Sequence, residues 1–369
     1  MIELRINPAH YRSEPHRLTE LGCVFQKNWV FVGMRFELAG LSHRGVTVGD
    51  TQLVLQCDSR GEPRAYLNVC SHRHAQLCEP GSFTTGALRC PYHGWIYDRE
   101  GVPVGIPQKH AFPQVVAKPA HFKLTEFACE AAGQFVFVRL APEGPPLREY
   151  LGQQYDFLVR ASQSMGGVLD EFRKDVAANW KVVIENSLEG YHVPAVHSQT
   201  LMQAEGMERT ESAPQFFLQD PLHSHLEHAA NAEWVARFKR FESKIGQWPW
   251  RFEHYTHHFI FPNLTVTSFM GYSFHIQSFQ PTAVDCTTVH SHTVGVEFAN
   301  STPIGTKMME RIYEDGHAFT HKVFEEDSGI CRKVQAGLQR AVRPAVLGVG
   351  IEDRVGHFHR TYIQALNGS

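Results

Sequence analysis

The 369-residue chain sets 35 Lys and Arg against 38 Asp and Glu, a net charge of −3, with 43% hydrophobic and 20% charged residues. This is ordinary globular material, long enough for two or three domains and without the basic field that nucleic-acid binding requires. The longest apolar stretches, such as Gln134 to Leu140, are far too short to span a bilayer, so no membrane association is expected. The opening MIELRINPAHYRSE lacks a basic stretch followed by an apolar run, and only Cys70 and Cys90 of the eight cysteines have paired spacing. Neither a secretory signal nor a disulfide framework is read, and a reducing cytoplasm is the expected location.

In chain order, Pro15 to Trp29 reads as helical, with Leu18, Leu21, Val24 and Phe25 roughly on one side. From about residue 40 the signal changes to short strands: Gln52–Cys57, Ala65–Val69 and Gln134–Leu140. Asp58–Gly61 and Asp98–Gly101 read as hairpin turns, each ending in a glycine that can take positive φ. Three prolines between Ala141 and Pro146 mark a boundary. A helix-rich region follows over 147–205, then strands Phe252–Phe261, Leu264–Phe279 and Thr287–Phe298, and a long helix after Pro303. No repeat or low-complexity tract is present.

Two loops carry chemistry in the strand-rich region: Cys70-Ser-His72 and Cys90-Pro-Tyr-His93. Each offers one thiolate and one imidazole, so each can hand one ligand to each iron of a Rieske [2Fe–2S] cluster. Structural zinc sites instead usually pair their cysteines within one loop. His74 is read as a neighbour of the ligands.

A second set lies in Asn179-Trp-Lys-Val-Val-Ile-Glu185-Asn186-Ser-Leu-Glu189-Gly-Tyr191-His192-Val-Pro194-Ala-Val-His197. On one continuous helix, Trp180, Ile184, Leu188 and Tyr191 form a core stripe. Glu185, Glu189 and His192 share a second face. Glu189 lies three residues before His192 and can fix its tautomer. Pro194 bends or ends that helix, which lets His192 and His197 converge. The long C-terminal helix supplies a carboxylate: Asp327 interrupts the stripe Phe319, Val323, Ile330, Val334 and Leu338. Glu326 aligns with Lys322 and Lys333 on what reads as a solvated face. Two His and one carboxylate form the facial triad of non-haem iron, although a buried Asp paired with Arg is also common. Of the remaining histidines, His223, His225 and His228 read as surface residues of a loop, and His290 and His292 alternate on one face of a strand. His257, His258, His357 and His359 line a pocket or pack.

The blocks CSHRHAQL, CPYHGWIYDREG, NWKVVIENSLEGYHVPAVH, FPN at 261–263 and FEEDSGICRKVQAGL resemble the terminal oxygenase (alpha) component of Rieske non-haem iron oxygenases over nearly the whole chain. The resemblance implies an α+β protein: a Rieske β-sandwich domain over 38–158 and a helix-grip (START/Bet v 1-like) catalytic domain over 159–369. The catalytic domain would have an antiparallel sheet and a long C-terminal helix, with an N-terminal helical segment, 1–37, packing against it. It implies that Cys70, His72, Cys90 and His93 bind the cluster, that His192, His197 and Asp327 bind mononuclear Fe(II), and that Glu189 and Asn186 are catalytic. Glu189 would link the mononuclear site to His93 of a neighbouring subunit in a homotrimer. Three departures stand out. Glu189 replaces the usual Asp, as in the choline, glycine betaine and carnitine branch, although Gly190 and Val193 differ from the ECYHC of that branch. His74 replaces a common Gly, and Arg332 a common Glu.

The implied reaction is O2-dependent hydroxylation or oxidative demethylation of a small organic substrate, with a quaternary amine as one class and an aromatic ring or natural product as the alternative. Monooxygenation and dioxygenation use the same ligands. No Gly-rich nucleotide fingerprint follows a strand. The resemblance implies a separate flavin and iron–sulfur reductase using NAD(P)H, with or without a ferredoxin. The rivals are a Rieske electron carrier without oxygenase activity and a zinc-stabilised ligand-binding module. The substrate pocket is expected among the strands and loops of 200–300.

Overall fold

The computed structural model describes residues 5–40, 42–204, 215–217 and 221–368. The chain divides into two compact units: Leu21–Tyr150, and a second made of Met1–Glu20 with Leu151–Ser369. Sequence boundaries were expected at residues 37 and 158.

In the contiguous unit a seven-stranded antiparallel sheet runs in the order Val30–Met34, Phe135–Arg139, Glu126–Ala132, Pro63–Leu67, Thr51–Cys57, Ser42–Val48, Phe83–Thr85. A three-stranded sheet is formed by Leu88–Arg89, Ile96–Tyr97 and Pro103–Gly105. Both expected hairpin turns form. The amides of Gly61 and Gly101 bond to the carbonyls of Asp58 and Asp98, with φ of 82° and 78°. Gly101 has a second reason to be glycine, since a Cβ there would lie 2.8 Å from the Tyr66 ring. A core of Val54, Tyr66, Leu77, Leu88, Trp95, Tyr97, Val115 and Leu124 encloses Cys70 and Cys90.

The second unit is a seven-stranded antiparallel sheet in the order Met165–Val176, Cys286–Val296, Ser273–Ala283, Leu264–Phe269, His254–Ile260, Ser224–Ala229, Gln215–Phe217. Met165–Val176, expected as part of a helical region, is an edge strand. Two register shifts, at Met165/Val168 and Val168/Asp170, break the alternation by which a strand is read. The single strand expected over Leu264–Phe279 is two, joined by a turn with Met270 at φ 57° and Gly271 at φ 76°. Ser224–Ala229 is likewise a strand, not a loop. His223 beside it is fully buried, its Nδ1 accepting the Phe261 amide at 3.1 Å.

Three helices serve this unit. Helix α1, Trp180–Leu188, is capped by Asn179, whose side chain accepts the Lys181 amide while its Nδ2 donates to Val284 O. Helix α2 is the 36-residue Pro303–Leu338, and α3 is Asp353–Asn367. The buried line of α2 is rotated from the expected one. Phe324, Cys331 and Gln335 are buried and Val334 is exposed, yet Asp327 still falls on that line.

The N-terminal segment belongs to the same core. Glu20 and Lys181, both fully buried, form an ion pair at 2.5 Å. Trp180 Nε1 and Tyr362 Oη donate to Glu20, and Lys181 also donates to His10 O. Residues 5–20, α1 and α3 are thereby tied at one point. No described helix is long and apolar enough to cross a membrane.

Candidate metal centres

The two Cys/His loops share one backbone design. The amide of Cys70 bonds to Ala75 O at 2.8 Å and that of Cys90 to Trp95 O at 2.8 Å. Four residues on, the amides of His74 and Gly94 return to the Cys70 and Cys90 carbonyls. Both closing residues are left-handed, His74 at φ 61° and Gly94 at φ 71°. The loops thus match residue for residue, with the imidazole at the third position in one and the fourth in the other.

The His72 and His93 rings lie 4.7 Å apart, and His72 stacks on Trp95. Their Nδ1 atoms are buried and have no protein hydrogen-bond partner. Two buried orphan nitrogens beside two buried thiols are a poor protein core and a fitting cluster cradle, because a metal satisfies all four donors. Tyr97 Oη lies 3.0 Å from Cys70 Sγ and from the Ser71 amide, placing a hydrogen-bonding group on one sulfur. None of the eight cysteines forms a disulfide.

His74 is exposed and non-glycine in a left-handed conformation, which costs about 1 kcal/mol relative to glycine. His74→Gly is expected to stabilise this unit by roughly 0.5–1 kcal/mol, measured by denaturant unfolding followed through cluster absorption. A loss of stability would show that the imidazole makes compensating contacts.

The second site departs from the continuous helix expected. Helix α1 ends at Leu188, and Glu189 is extended at φ −133°, ψ 159°. Tyr191 is consequently 69% exposed and leaves the core stripe of Trp180, Ile184 and Leu188. Pro194 starts a helix instead of bending one: His192 and His197 cap the two ends of the short helix Val193–Val196. Glu185 points elsewhere, accepting from Tyr11 Oη at 2.5 Å and facing His359 Nε2 at 3.0 Å.

The Glu189 carboxylate folds back over the following turn. Oε1 meets His192 Nδ1 at 2.5 Å, and Oε2 accepts the amides of Tyr191 and His192. His197 is treated alike: its Nδ1 meets Glu326 Oε2 at 2.7 Å, and Thr200 Oγ1 donates to the same oxygen. Glu326 is therefore not on a solvated face. Its adjacency to Asp327 was the one sequence signal for this role. With each Nδ1 held by a carboxylate, both Nε2 atoms face Asp327 Oδ1, at 3.5 Å from His192 and 3.0 Å from His197. Asn186 Nδ2 donates to that same oxygen at 2.7 Å. Arg332, one turn along α2, is exposed.

Burial alone would lower the His192 pKa, but hydrogen bonds to Asp327 and Glu189 outweigh it and raise it to about 9. Burial opposes ionisation of Asp327 as well, and its bonds to His192, His197 and Asn186 hold it down to about 2. His197 is raised by Asp327 and Glu326 against the effect of burial. Such a cluster holds positive charge in protons where a divalent cation would displace them. His192, His197 and Asp327 converge closely enough to hold one ion. Beside them is a cavity of about 90 Å³, lined by Val183, Asn186, Gln277, Phe279, Phe324 and Cys331 among others. Among the described residues of its wall, Gln277 and Phe279 come from the 200–300 region expected to build the substrate pocket.

Of the remaining histidines, His257 bonds to Arg354, His258 to Gln154 and His357 to Pro221 O. All three pack. His290 and His292 share one face of the strand Cys286–Val296, as expected.

One unit thus offers residues that could hold an iron–sulfur cluster, and the other a two-histidine, one-carboxylate set that could hold a single ion. The chain belongs to the ring-hydroxylating alpha subunit family, whose catalytic domain matches residues 164–368, and it carries a Rieske [2Fe–2S] domain matching 28–120. It thus has the cofactor set of the mononuclear iron oxygenases, a [2Fe–2S] cluster and one non-haem iron. It is 33% identical over 196 residues to the glycine betaine monooxygenase oxygenase subunit of Chromohalobacter salexigens, covering 53% of this chain and 43% of that one. It is 28% identical over 186 residues to the 2-halobenzoate 1,2-dioxygenase large subunit of Burkholderia cepacia, covering 48% and 40%. The matched stretch thus spans less than half of each of these relatives. Two solved structures share the fold. The quaternary ammonium Rieske monooxygenase CntA with L-carnitine has TM-score 0.74 and 17% identity, covering 98% of this chain and 94% of that one. Naphthalene 1,2-dioxygenase from Rhodococcus sp. bound to indole has TM-score 0.76 and 18% identity, with the same coverage.

Proposed function

We propose that the chain is the oxygenase component of a multicomponent Rieske system that hydroxylates or oxidatively demethylates a small organic substrate. The observation that carries this reading is the convergence of His192 Nε2 and His197 Nε2 on Asp327 Oδ1 at the edge of a cavity. Iron bound there would supply O2 activation, with electrons delivered one at a time from a cluster held by Cys70, His72, Cys90 and His93. The protein groups do the positioning. Glu189 and Glu326 fix the two imidazoles, Asn186 fixes the carboxylate, and Phe279 and Phe324 give the cavity wall its aromatic surface.

A quaternary amine is the favoured substrate class. The likeness to a glycine betaine monooxygenase supports it, as does Glu189 at the linking position, and the Phe279 and Phe324 rings of the cavity wall suit a cationic methylammonium group. Electrons would come from an NAD(P)H-dependent flavin and iron–sulfur reductase, with or without a ferredoxin. They would pass from His93 of one subunit to Glu189 of the next in a cytoplasmic homotrimer.

The test is turnover with a reductase on two substrates. Formaldehyde release from glycine betaine supports the amine reading. Hydroxylation of benzoate with none of betaine moves the chain to the aromatic class, and a colourless protein containing only zinc defeats the oxygenase reading. Glu189→Gln, loaded with iron to the same level as the parent protein, is expected to keep its cluster and lose most turnover; full activity would remove Glu189 from the electron path.

A further inference from the structure

A second convergence of metal-binding side chains lies on the sheet of the catalytic unit. Glu171, His290 and His292 each offer one ligand atom, and these lie within 4.8 Å of one another. His290 Nε2 is 2.7 Å and His292 Nε2 3.6 Å from Glu171 Oε1, and the two rings are 4.2 Å apart. We propose that Glu171, His290 and His292 form a site for a divalent transition ion of the zinc type, separate from the mononuclear iron.

The geometry carries this. Ligands bonded at about 2.0–2.1 Å in a tetrahedron stand about 3.3 Å apart. The two observed Glu171 separations fall on either side of that value, so one side-chain adjustment of about half an ångström satisfies both. Glu171 and His292 are paired across neighbouring strands, and His290 and His292 are alternate residues of one strand, so the ladder fixes all three on one face. His292 is almost wholly buried and His290 mostly so, whereas Glu171 is half exposed and free to swing onto an ion.

The donor set of two imidazoles and one carboxylate is one that zinc accepts, with a fourth position left to water. Iron and zinc compete for such sites by donor type and geometry, and simple affinity order places zinc above Fe(II). The charged group nearest in register is Arg173, directly across from His290; it is exposed, so its guanidinium has solvent to move into. The bound ion would tie the edge strand Met165–Val176, just after its two register shifts, to the strand Cys286–Val296. The set lies on the opposite strand face from Gln277 and Phe279 of the cavity wall, because Ser278 and Ile276 are the partners of His290 and His292.

The test is zinc uptake by the iron-loaded protein, with iron and zinc counted together after ZnCl2 is added and excess removed by gel filtration. The expected result is one further equivalent of zinc with no loss of iron. Glu171→Gln and His290→Gln should each lower zinc affinity at least tenfold. Glu171 is exposed, so its variant keeps the test independent of folding. Zinc taken up only at the expense of iron, or equally well by the Glu171 and His290 variants, overturns the proposal and leaves a cross-strand ion pair.

Discussion

Asp327→Asn is expected to abolish oxygenation and to leave the protein with its cluster but without mononuclear iron. Asp327 Oδ1 is the one oxygen that both His192 Nε2 and His197 Nε2 face, and Asn186 already donates to it. An amide removes the negative charge and turns a donor-accepting oxygen into a group with a competing N–H. Loss of an outer partner of a ligand costs about 10–100-fold in metal affinity, and loss of a ligand should exceed that. Glu326→Gln provides the scale. It loosens His197 without removing a ligand and should fall within that 10–100-fold range. Metal counting checks both, with the cluster's absorption as the internal standard. An Asp327→Asn protein that still holds its second iron and turns over would remove this residue from the centre.

Lys181→Met is expected to destabilise the catalytic unit by about 3–5 kcal/mol. Both members of the Glu20–Lys181 pair are wholly buried, and the carboxylate would keep only the Trp180 and Tyr362 donors. Burial already pushes the Lys181 ammonium below its usual pKa, opposed by Glu20 beside it. Isolated buried charge is the costly state, so adding Glu20→Gln to Lys181→Met should recover a large part of the loss. Denaturant unfolding of the three variants gives the coupling directly. A single-variant cost below about 1 kcal/mol would mean that water or a rearranged side chain reaches Glu20.

The parts legible in the sequence are those fixed by local chain geometry. Cys70/His72 and Cys90/His93 each lie within one tight turn, so their spacing alone marks them as candidate donors. Asp327 was legible because a charge on a mostly apolar helix face is conspicuous, even though the buried line runs through Phe324 and Cys331 instead of Val334. What escaped depends on distant contacts or broken periodicity. Glu326 meets His197 from another element, 129 positions away. The end of α1 was missed because Glu189 looks like a helix residue until its carboxylate is seen bonding the amides that follow it, although Gly190 was a signal. Met165–Val176 carries two bulges in its first six residues, which erase the alternation of a strand. Glu20 and Tyr11 disclose nothing locally, since every partner they hold is far along the chain.

The Glu20–Tyr362 bond also sets a timetable for synthesis. Leu21–Tyr150 is one contiguous unit, while the other opens with residues before it and closes only when α3 arrives. Domains fold as units from the N-terminal side while the ribosome adds about 5–20 residues per second, so Tyr362 appears roughly 10–40 s after Tyr150. During that interval the cluster cradle can close, while Glu20 waits with one of its donors not yet made. The contiguous unit can therefore complete its fold before the unit that both ends of the chain share.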